Sequence, residues 1–279
     1  MRGPGIYENI DIDTYHAEPG ISSSGITLIL DCPKRYWYEY QGRPEPDPRD
    51  AKKQRDKFKM GRALHMLILE PEKFDATFYT MGEEVNLTTK IGKAKYEEAE
   101  LAANGREIIR AGDWADIWAM AQSAKAHPVW GHIEDGKVEQ SIYWNSGFYN
   151  TRLKARPDIY NDKLIIDVKT TDSIPAFQNS LYQYGYHRQA AMQVDGLKAF
   201  NPEGDNHERF HAFFVVEKRA PYLTACFTLD EASIAQGRRE YQDGAATYSE
   251  CLNANLWPGY DNKFQITSIP QWAVKKENI

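Results

Sequence analysis

The spacing of apolar residues changes in the middle of this 279-residue chain, and this change restricts the possible folds more than any other feature. Before about residue 130, apolar side chains recur every three or four positions, which predicts amphipathic helices at 51–69, 88–104 and 112–126. From Val138 the apolar residues alternate with polar ones, which is the spacing of β-strands. Three strands are predicted, at 138–144, 149–157 and 163–169. The chain therefore combines a helical part with a sheet.

The last hundred residues return to helical spacing with one interruption. A mostly helical segment is predicted at 174–197, a hairpin with strands at 210–217 and 222–229, and a helix from Asp230 to about Leu252. This order of elements predicts an α/β fold with a mixed central β-sheet flanked by helices. We predict a single domain over 1–279, with a helical part at about 1–130, the sheet and its helices at about 131–255, and a tail at 256–279.

Composition narrows the setting of this domain. No apolar run approaches the ~20 residues of a membrane helix, and residues 1–13 lack the basic-then-apolar pattern of a signal peptide. The three cysteines are far apart, which argues against a disulfide framework or a cysteine-bound metal cluster. We therefore expect a cytoplasmic protein that does not associate with membranes.

The strand at 163–169 carries two charged residues on one face. Because alternate side chains of a strand share a face, Ile166 and Val168 can face the core while Asp167 and Lys169 point together to the other side. A structural ion pair explains these two residues as well as a catalytic site does.

The preceding strand makes a catalytic site more plausible. Arg152, Lys154 and Arg156 share one parity with Asp158, so one face is expected to be a basic stripe, suited to DNA phosphates, that ends in an acid. A short turn separates Asp158 from Asp167, so the two carboxylates can converge at neighbouring strand positions. Two such oxygen donors suit Mg²⁺, with Mn²⁺ as a substitute, and a cation between them relieves their repulsion.

Asp158 followed by Asp167-Val168-Lys169 resembles the motif of the PD-(D/E)XK nucleases. The resemblance implies that both carboxylates and the Val168 carbonyl bind the metal, and that Lys169 activates the nucleophile or stabilises the transition state. In the RecB-like branch of that superfamily a histidine that follows a glycine is a further ligand, and Gly61-x-x-x-His65 has this spacing. A packed or surface histidine is the alternative role for His65.

Three more residues fit the same branch. Glu139 stands where the branch places an acid near the metal, although a solvated strand-end carboxylate explains it equally well. Gln189 matches the glutamine of the helix after the motif. The tyrosine usual four residues later is replaced by Gln193, and Tyr186, one turn earlier, is expected to cover that face instead.

Over nearly its whole length the chain resembles RecE-type exonucleases, the exonuclease VIII family of phage and prophage recombination systems. The resemblance continues from the site motifs into the tail, at Cys251-Leu252-Asn253, Trp257-Pro258, Pro270 and Trp272-Ala273. It implies a Mg²⁺-dependent 5′→3′ exonuclease on double-stranded DNA ends that leaves a 3′ strand for a RecT-like single-strand annealing protein. It also implies a toroidal homotetramer.

The net charge of −6 is unusual for a DNA-binding protein, but basic residues cluster locally before His65. We expect this cluster to contact the DNA backbone, although a solvated helix face is the alternative. Its main members are Lys52, Lys53 and Arg55.

Two rival functions remain open at this stage. A structure-specific endonuclease or a helicase-associated nuclease could use the same core, although the chain lacks the GxxxxGK[ST] phosphate loop of a motor. A non-catalytic protein that binds DNA ends and recruits an annealing protein is the rival of another class.

Overall fold

A computed structural model describes residues 2–42, 44, 48–147, 151–200, 209–261, 263–264 and 266–270, apart from the side chains of 48–55 and 57. The α-helices among them are α1 (Ile12–Ala17), α2 (Ser23–Asp31), α3 (Pro33–Trp37), α4 (Pro48–Leu69), α5 (Pro71–Thr77), α6 (Lys90–Ala103), α7 (Ala111–Ala126), α8 (Phe177–Gln183), α9 (Tyr186–Lys198) and α10 (Glu231–Ala254). A π-helical turn (Tyr38–Gly42) and a 3₁₀ helix (Pro128–His132) complete the helical segments.

The described strands are β1 (Gly5–Tyr7), β2 (Phe78–Thr80), β3 (Glu107–Ile109), β4 (Lys137–Val138), β5 (Ser141–Asn145), β6 (Arg152–Ala155), β7 (Ile159–Tyr160), β8 (Leu164–Thr171), β9 (Phe210–Glu217) and β10 (Thr224–Thr228). They form a five-stranded sheet in the order β10-β9-β8-β7-β4, a three-stranded sheet β1-β5-β6 and a pair β2-β3. In the main sheet β8 and β9 are parallel and the other neighbours are antiparallel. The predicted mixed sheet flanked by helices is therefore confirmed.

Both faces of the main sheet are covered, which explains why β9 is apolar along most of its length and why β8 begins with three apolar residues. On one face Ile166 and Val168 of β8 pack with α4 and α7 in the largest core cluster. On the other face Phe213 and Val215 of β9 pack against Ala190 of α9. The parallel register aligns Asp167 with Phe213, so Asp167 lies under α9.

The strand predicted at 149–157 is wrong in its extent. The chain forms β6 in the small sheet, leaves the extended ladder at 156–158, and forms β7 in the main sheet. Pro157 lies at this break, and proline has no N–H with which to continue a ladder. The two segments thus belong to different sheets.

The helix predicted at 174–197 is divided into α8 and α9. The chain turns between them at Gly185, which has a left-handed φ of 68° that glycine adopts without strain. The long helix after Asp230 is confirmed as α10, and the Asp230 side chain caps it by accepting from the Ser233 N–H. Among the described residues we find no helix that is both long and apolar enough to cross a bilayer.

Candidate metal centre

Glu139 and Asp158 face each other where a two-stranded ribbon passes from one sheet to the other. Glu139 lies between β4 and β5, and Asp158 lies between β6 and β7. The Glu139 N–H donates to the Asp158 carbonyl at 3.0 Å, which ties the two crossing points together. Glu139 has a φ of 51°, a conformation that costs energy in a residue other than glycine. Strain of this kind is concentrated at functional sites.

A histidine from α4 completes this cluster. His65 Nε2 lies 3.0 Å from Asp158 Oδ2 and 3.4 Å from Glu139 Oε1. One potential ligand atom from each of the three residues lies within 4.8 Å of the others. The structure therefore brings His65, Glu139 and Asp158 together from three distant parts of the sequence.

The glycine one turn before His65 helps α4 to approach the sheet. A Cβ placed on Gly61 would lie 3.3 Å from Thr170 Oγ1, which is a tight contact. Leu64, on the same part of α4, is completely buried in the main core and fixes the rotation of the helix. The Gly-x-x-x-His spacing thus combines a close approach to β8 with a histidine directed at Asp158.

Asp167 and Lys169 lie beside this cluster on β8, on the same face of the strand as predicted. Their side chains form an ion pair, and the Asp167 side chain is fully buried. The Lys169 Nζ also lies 4.8 Å from the centre of the Tyr186 ring, so Tyr186 covers this face. Asp158 is linked to β8 because its Oδ2 accepts from the Val168 N–H at 2.6 Å.

Gln189 contacts Asp167 directly, with 3.0 Å between its Nε2 and the Asp167 Oδ1. Gln193, at the position of the missing tyrosine, donates to the same oxygen at 3.2 Å. Both amides therefore hold one carboxylate oxygen, and Lys169 holds the other.

The protonation of the cluster follows from crowding several charges in a buried site. Burial lowers the pKa of His65, but the charges of Asp158 and Glu139 outweigh this effect and raise it to about 9. Burial and the nearby Asp158 raise the pKa of Glu139 and also that of Asp167. The pKa of Asp158 is lowered because His65 and Lys169 outweigh its burial. Asp158 is thus close enough to Glu139 and to Asp167 for its charge to disfavour the ionised form of both.

These residues fit a divalent cation. Carboxylate oxygens are the ligands that Mg²⁺ and Mn²⁺ prefer, and an imidazole nitrogen is a ligand more typical of transition metals. Burial and the charge of Asp158 raise the pKa of Glu139, and a cation would relieve the repulsion between these two acids. His65, Glu139 and Asp158 would hold it, with Asp167 next to them. The Val168 carbonyl was predicted as a further ligand. The described contact between Val168 and the cluster is made by its N–H, which donates to Asp158, and the carbonyl ligand stays a prediction.

The expected basic stripe on the strand before Asp158 is wrong for Lys154. The residue is 4% exposed, and its Nζ donates to the carbonyls of Tyr15 at 2.8 Å, His16 at 3.1 Å and Glu18 at 2.7 Å. These carbonyls belong to the end of α1, which needs such donors. Lys154 therefore anchors α1 and does not face a ligand.

The neighbouring arginines also have internal partners. Arg156 pairs with Glu139 and donates to the Ile10 carbonyl at 2.7 Å. Arg152 donates to the Arg2 carbonyl and lies over the Tyr143 ring, 4.7 Å from its centre. The structure places Arg156 beside the acidic cluster and Arg152 away from it. The side chains of Lys52, Lys53 and Arg55 lie outside the described residues, although the backbone there belongs to α4.

His211 was not predicted as part of the site. It is 5% exposed, and its Nε2 lies 2.8 Å from Gln193 Oε1. A histidine within the apolar strand Phe210–Glu217 was the available signal, because alternation places it on the face of Phe213 and Val215.

Comparisons with known proteins identify the family and a similar fold. Residues 22–268 match the family model described as a PDDEXK-like domain of unknown function (DUF3799). A search of curated proteins finds no match. Among solved structures, a protein of Eubacterium rectale described as a candidate exonuclease has a similar fold, with a TM-score of 0.64. It is 11% identical, and the alignment covers 95% of this chain and 97% of that one.

Proposed function

The chain belongs to the PDDEXK-like domain family, and from this premise we propose that it is a divalent-metal-dependent nuclease that hydrolyses DNA phosphodiester bonds. The observation that carries the proposal is the convergence of His65, Glu139 and Asp158 beside the Asp167–Lys169 pair. A purely structural role does not explain why several carboxylates are crowded into one half-buried site. A protein that only binds DNA would gain nothing from acids facing phosphate.

Each side chain has a distinct task in this proposal. A bound Mg²⁺ or Mn²⁺ supplies charge neutralisation for phosphate and a water of lowered pKa. His65, Glu139 and Asp158 hold the ion, and Asp167 supplies a further oxygen. Lys169 orients the attacking water or stabilises the negative charge that develops on the phosphate. Its ammonium is fixed for this task between Asp167 and the Tyr186 ring.

We further propose a 5′→3′ exonuclease on linear duplex ends, because the motifs resemble those of RecE-type exonucleases along the chain. The similar fold of the Eubacterium rectale protein, described as a candidate exonuclease, supports this choice over an endonuclease. A RecT-like annealing partner, a homotetrameric ring and a cytoplasmic location belong to the same proposal.

The test uses linear duplexes labelled at the 5′ or the 3′ end and a closed circular duplex, each with Mg²⁺, Mn²⁺, Ca²⁺ or a chelator. We expect Mg²⁺ or Mn²⁺ to support degradation of the linear duplexes with early release of the 5′ label, while the circle stays intact. Asp158→Asn should abolish cleavage. Asp162→Asn is the matched control, because Asp162 is an exposed acid in the turn after β7.

Three results would change the proposal. Cleavage of the circle would make the protein an endonuclease, and early release of the 3′ label would reverse the polarity. DNA binding without cleavage under any metal, for wild type and Asp158→Asn alike, would leave a non-catalytic end-binding protein.

A further inference from the structure

Two glutamines on α9 hold Asp167 from behind. Gln189 and Gln193 are one helical turn apart, so both side chains leave α9 on the face that covers β8. Their amide nitrogens lie 3.0 and 3.2 Å from the same oxygen, Asp167 Oδ1. The other oxygen of that carboxylate pairs with Lys169. The direction in which Asp167 points is therefore set by α9.

Of the two glutamines, only Gln193 has a second described hydrogen-bond partner beneath it. It is 1% exposed, and its Oε1 lies 2.8 Å from the Nε2 of the buried His211. In the parallel register His211 is aligned with Ile165, and Phe213 is aligned with Asp167. His211 therefore lies two residues before Phe213 on β9 and on the same face of the sheet. A buried chain of three side chains thus runs from His211 through Gln193 to Asp167.

The chemistry of the three groups allows one consistent arrangement. A carboxylate only accepts hydrogen bonds, so Gln193 must present its NH₂ to Asp167 and its carbonyl oxygen to His211. The His211 ring must then donate from Nε2, which leaves Nδ1 as the bare nitrogen of a neutral ring. The His211 Nδ1 has no hydrogen-bond partner among the described residues, as a bare ring nitrogen in an apolar strand would. Burial and the charge of Lys169 also lower the pKa of His211 to about 3.

We propose that His211 and Gln193 are positioning residues that fix the Asp167 carboxylate for metal binding and catalysis. This inference rests on the proposed function. It extends that function to His211 and Gln193, which contact neither the substrate nor the cluster of His65, Glu139 and Asp158. His211 holds the Gln193 amide in one orientation, and the amide holds Asp167 Oδ1. The remaining oxygen then stays beside Lys169 and the cluster.

The test compares two substitutions at the same position. His211→Met removes the donor while keeping an apolar side chain of similar length, and His211→Gln can return a donor near the original Nε2. We expect the Mn²⁺ concentration for half-maximal thermal stabilisation to rise roughly tenfold in His211→Met. Loss of a hydrogen-bond partner that orients a metal ligand typically lowers metal affinity by about this factor. The kcat for DNA should fall by a similar factor with KM unchanged. His211→Gln should recover most of both losses.

His187→Met is the matched control. His187 is also a buried histidine, on α9 itself, but its Nε2 lies 2.8 Å from Glu240 Oε2 of α10, away from Asp167. This variant should lose melting temperature without a change in the Mn²⁺ midpoint. Gln193→Met should reproduce the His211→Met result if the latter folds poorly.

A measurement without metal or substrate checks the arrangement itself. Long-range ¹H–¹⁵N spectra of the histidines should show His211 as the neutral ring protonated at Nε2, and Gln193→Met should abolish this preference. A ring protonated at Nδ1 would overturn the proposal. An unchanged Mn²⁺ midpoint in His211→Met, with wild-type DNA cleavage intact, would overturn it and leave the nuclease standing. A tenfold higher Mn²⁺ midpoint in His211→Met than in the wild type, with no DNA cleavage by the wild type, would support the positioning role and reject the nuclease.

Discussion

Lys169→Met should separate the catalytic role of Lys169 from its structural role, because the substitution removes the ammonium and keeps most of the side-chain volume. Loss of one preorganised charge that acts on the transition state lowers kcat by about a hundredfold, or about 2.7 kcal/mol. DNA binding in Ca²⁺ should change little. Lys169→Arg should restore only part of the activity, since a planar guanidinium presents its donors differently.

The structural consequence can be estimated from the burial of the pair. Asp167 is fully buried and the Lys169 side chain is 19% exposed. Breaking such a buried ion pair from one side costs about 3–5 kcal/mol. We expect about 3 kcal/mol without metal, because the amides of Gln189 and Gln193 still donate to Asp167. Adding Asp167→Asn should recover about 2 kcal/mol, since no uncompensated charge then remains.

The assays are single-turnover cleavage of a labelled duplex, DNA binding in Ca²⁺, and urea unfolding in a chelator for the two single variants and the double variant. A Lys169→Met protein that binds DNA weakly but turns over normally would make Lys169 a phosphate clamp. Additive stability losses in the double variant would show that the two side chains do not form the pair on which our estimate depends.

Three further predictions concern packing, acid stability and DNA contact. Gly237→Ala should destabilise by about 1–3 kcal/mol, because its Cβ would lie 2.1 Å from a carbonyl oxygen of α9, whereas Gly82→Ala, with open space around it, should be nearly neutral in urea unfolding. Burial raises the pKa of Glu240, but hydrogen bonds from Gln236 and from α9 outweigh it and lower the pKa to about 2. The stabilisation by ionised Glu240 should therefore be complete above pH 4.5 and disappear towards pH 2. The melting temperatures of Glu240→Gln and wild type should converge over that range. Lys154→Met should lower stability but leave the salt dependence of DNA binding unchanged. Neutralising Lys52, Lys53, Arg55 and Lys57 should instead make the slope of log K against log salt shallower by about 0.9 per lost phosphate contact.

The catalytic strand could be predicted in detail because its signal is local. Alternation alone places Ile166 and Val168 in one core and Asp167 and Lys169 on the other face, and the structure confirms both. The helix that carries His65 and the capped helix after Asp230 were predictable for the same reason, since spacing and capping act within a few residues.

The basic stripe could not be judged from its own strand. Parity groups Arg152, Lys154 and Arg156 correctly, but parity does not show which other part of the chain covers that face. The carbonyls that surround Lys154 come from α1, 136 to 139 residues away in sequence. Alternation indicates a shared face, and only tertiary structure decides whether that face is solvent.

The positioning residues were missed for a related reason. In the sequence Gln193 stands out only as a departure from an expected tyrosine, and its partner His211 lies on a later strand that is parallel to β8. Nothing in the sequence of β9 specifies which residue of β8 it faces. The parallel register, which depends on the packing of the whole sheet, places His211 near Asp167 on the face that α9 covers, where it meets Gln193.

The proposed nuclease activity depends most on a divalent ion held where the chain crosses between the two sheets. The direct measurement is an anomalous difference map from crystals of the full chain grown with Mn²⁺. We expect a peak contacted by His65 Nε2 and the carboxylates of Glu139 and Asp158, with Asp167 next to it. A map with no peak at these residues, in crystals where Mn²⁺ is bound elsewhere on the protein, would contradict the account.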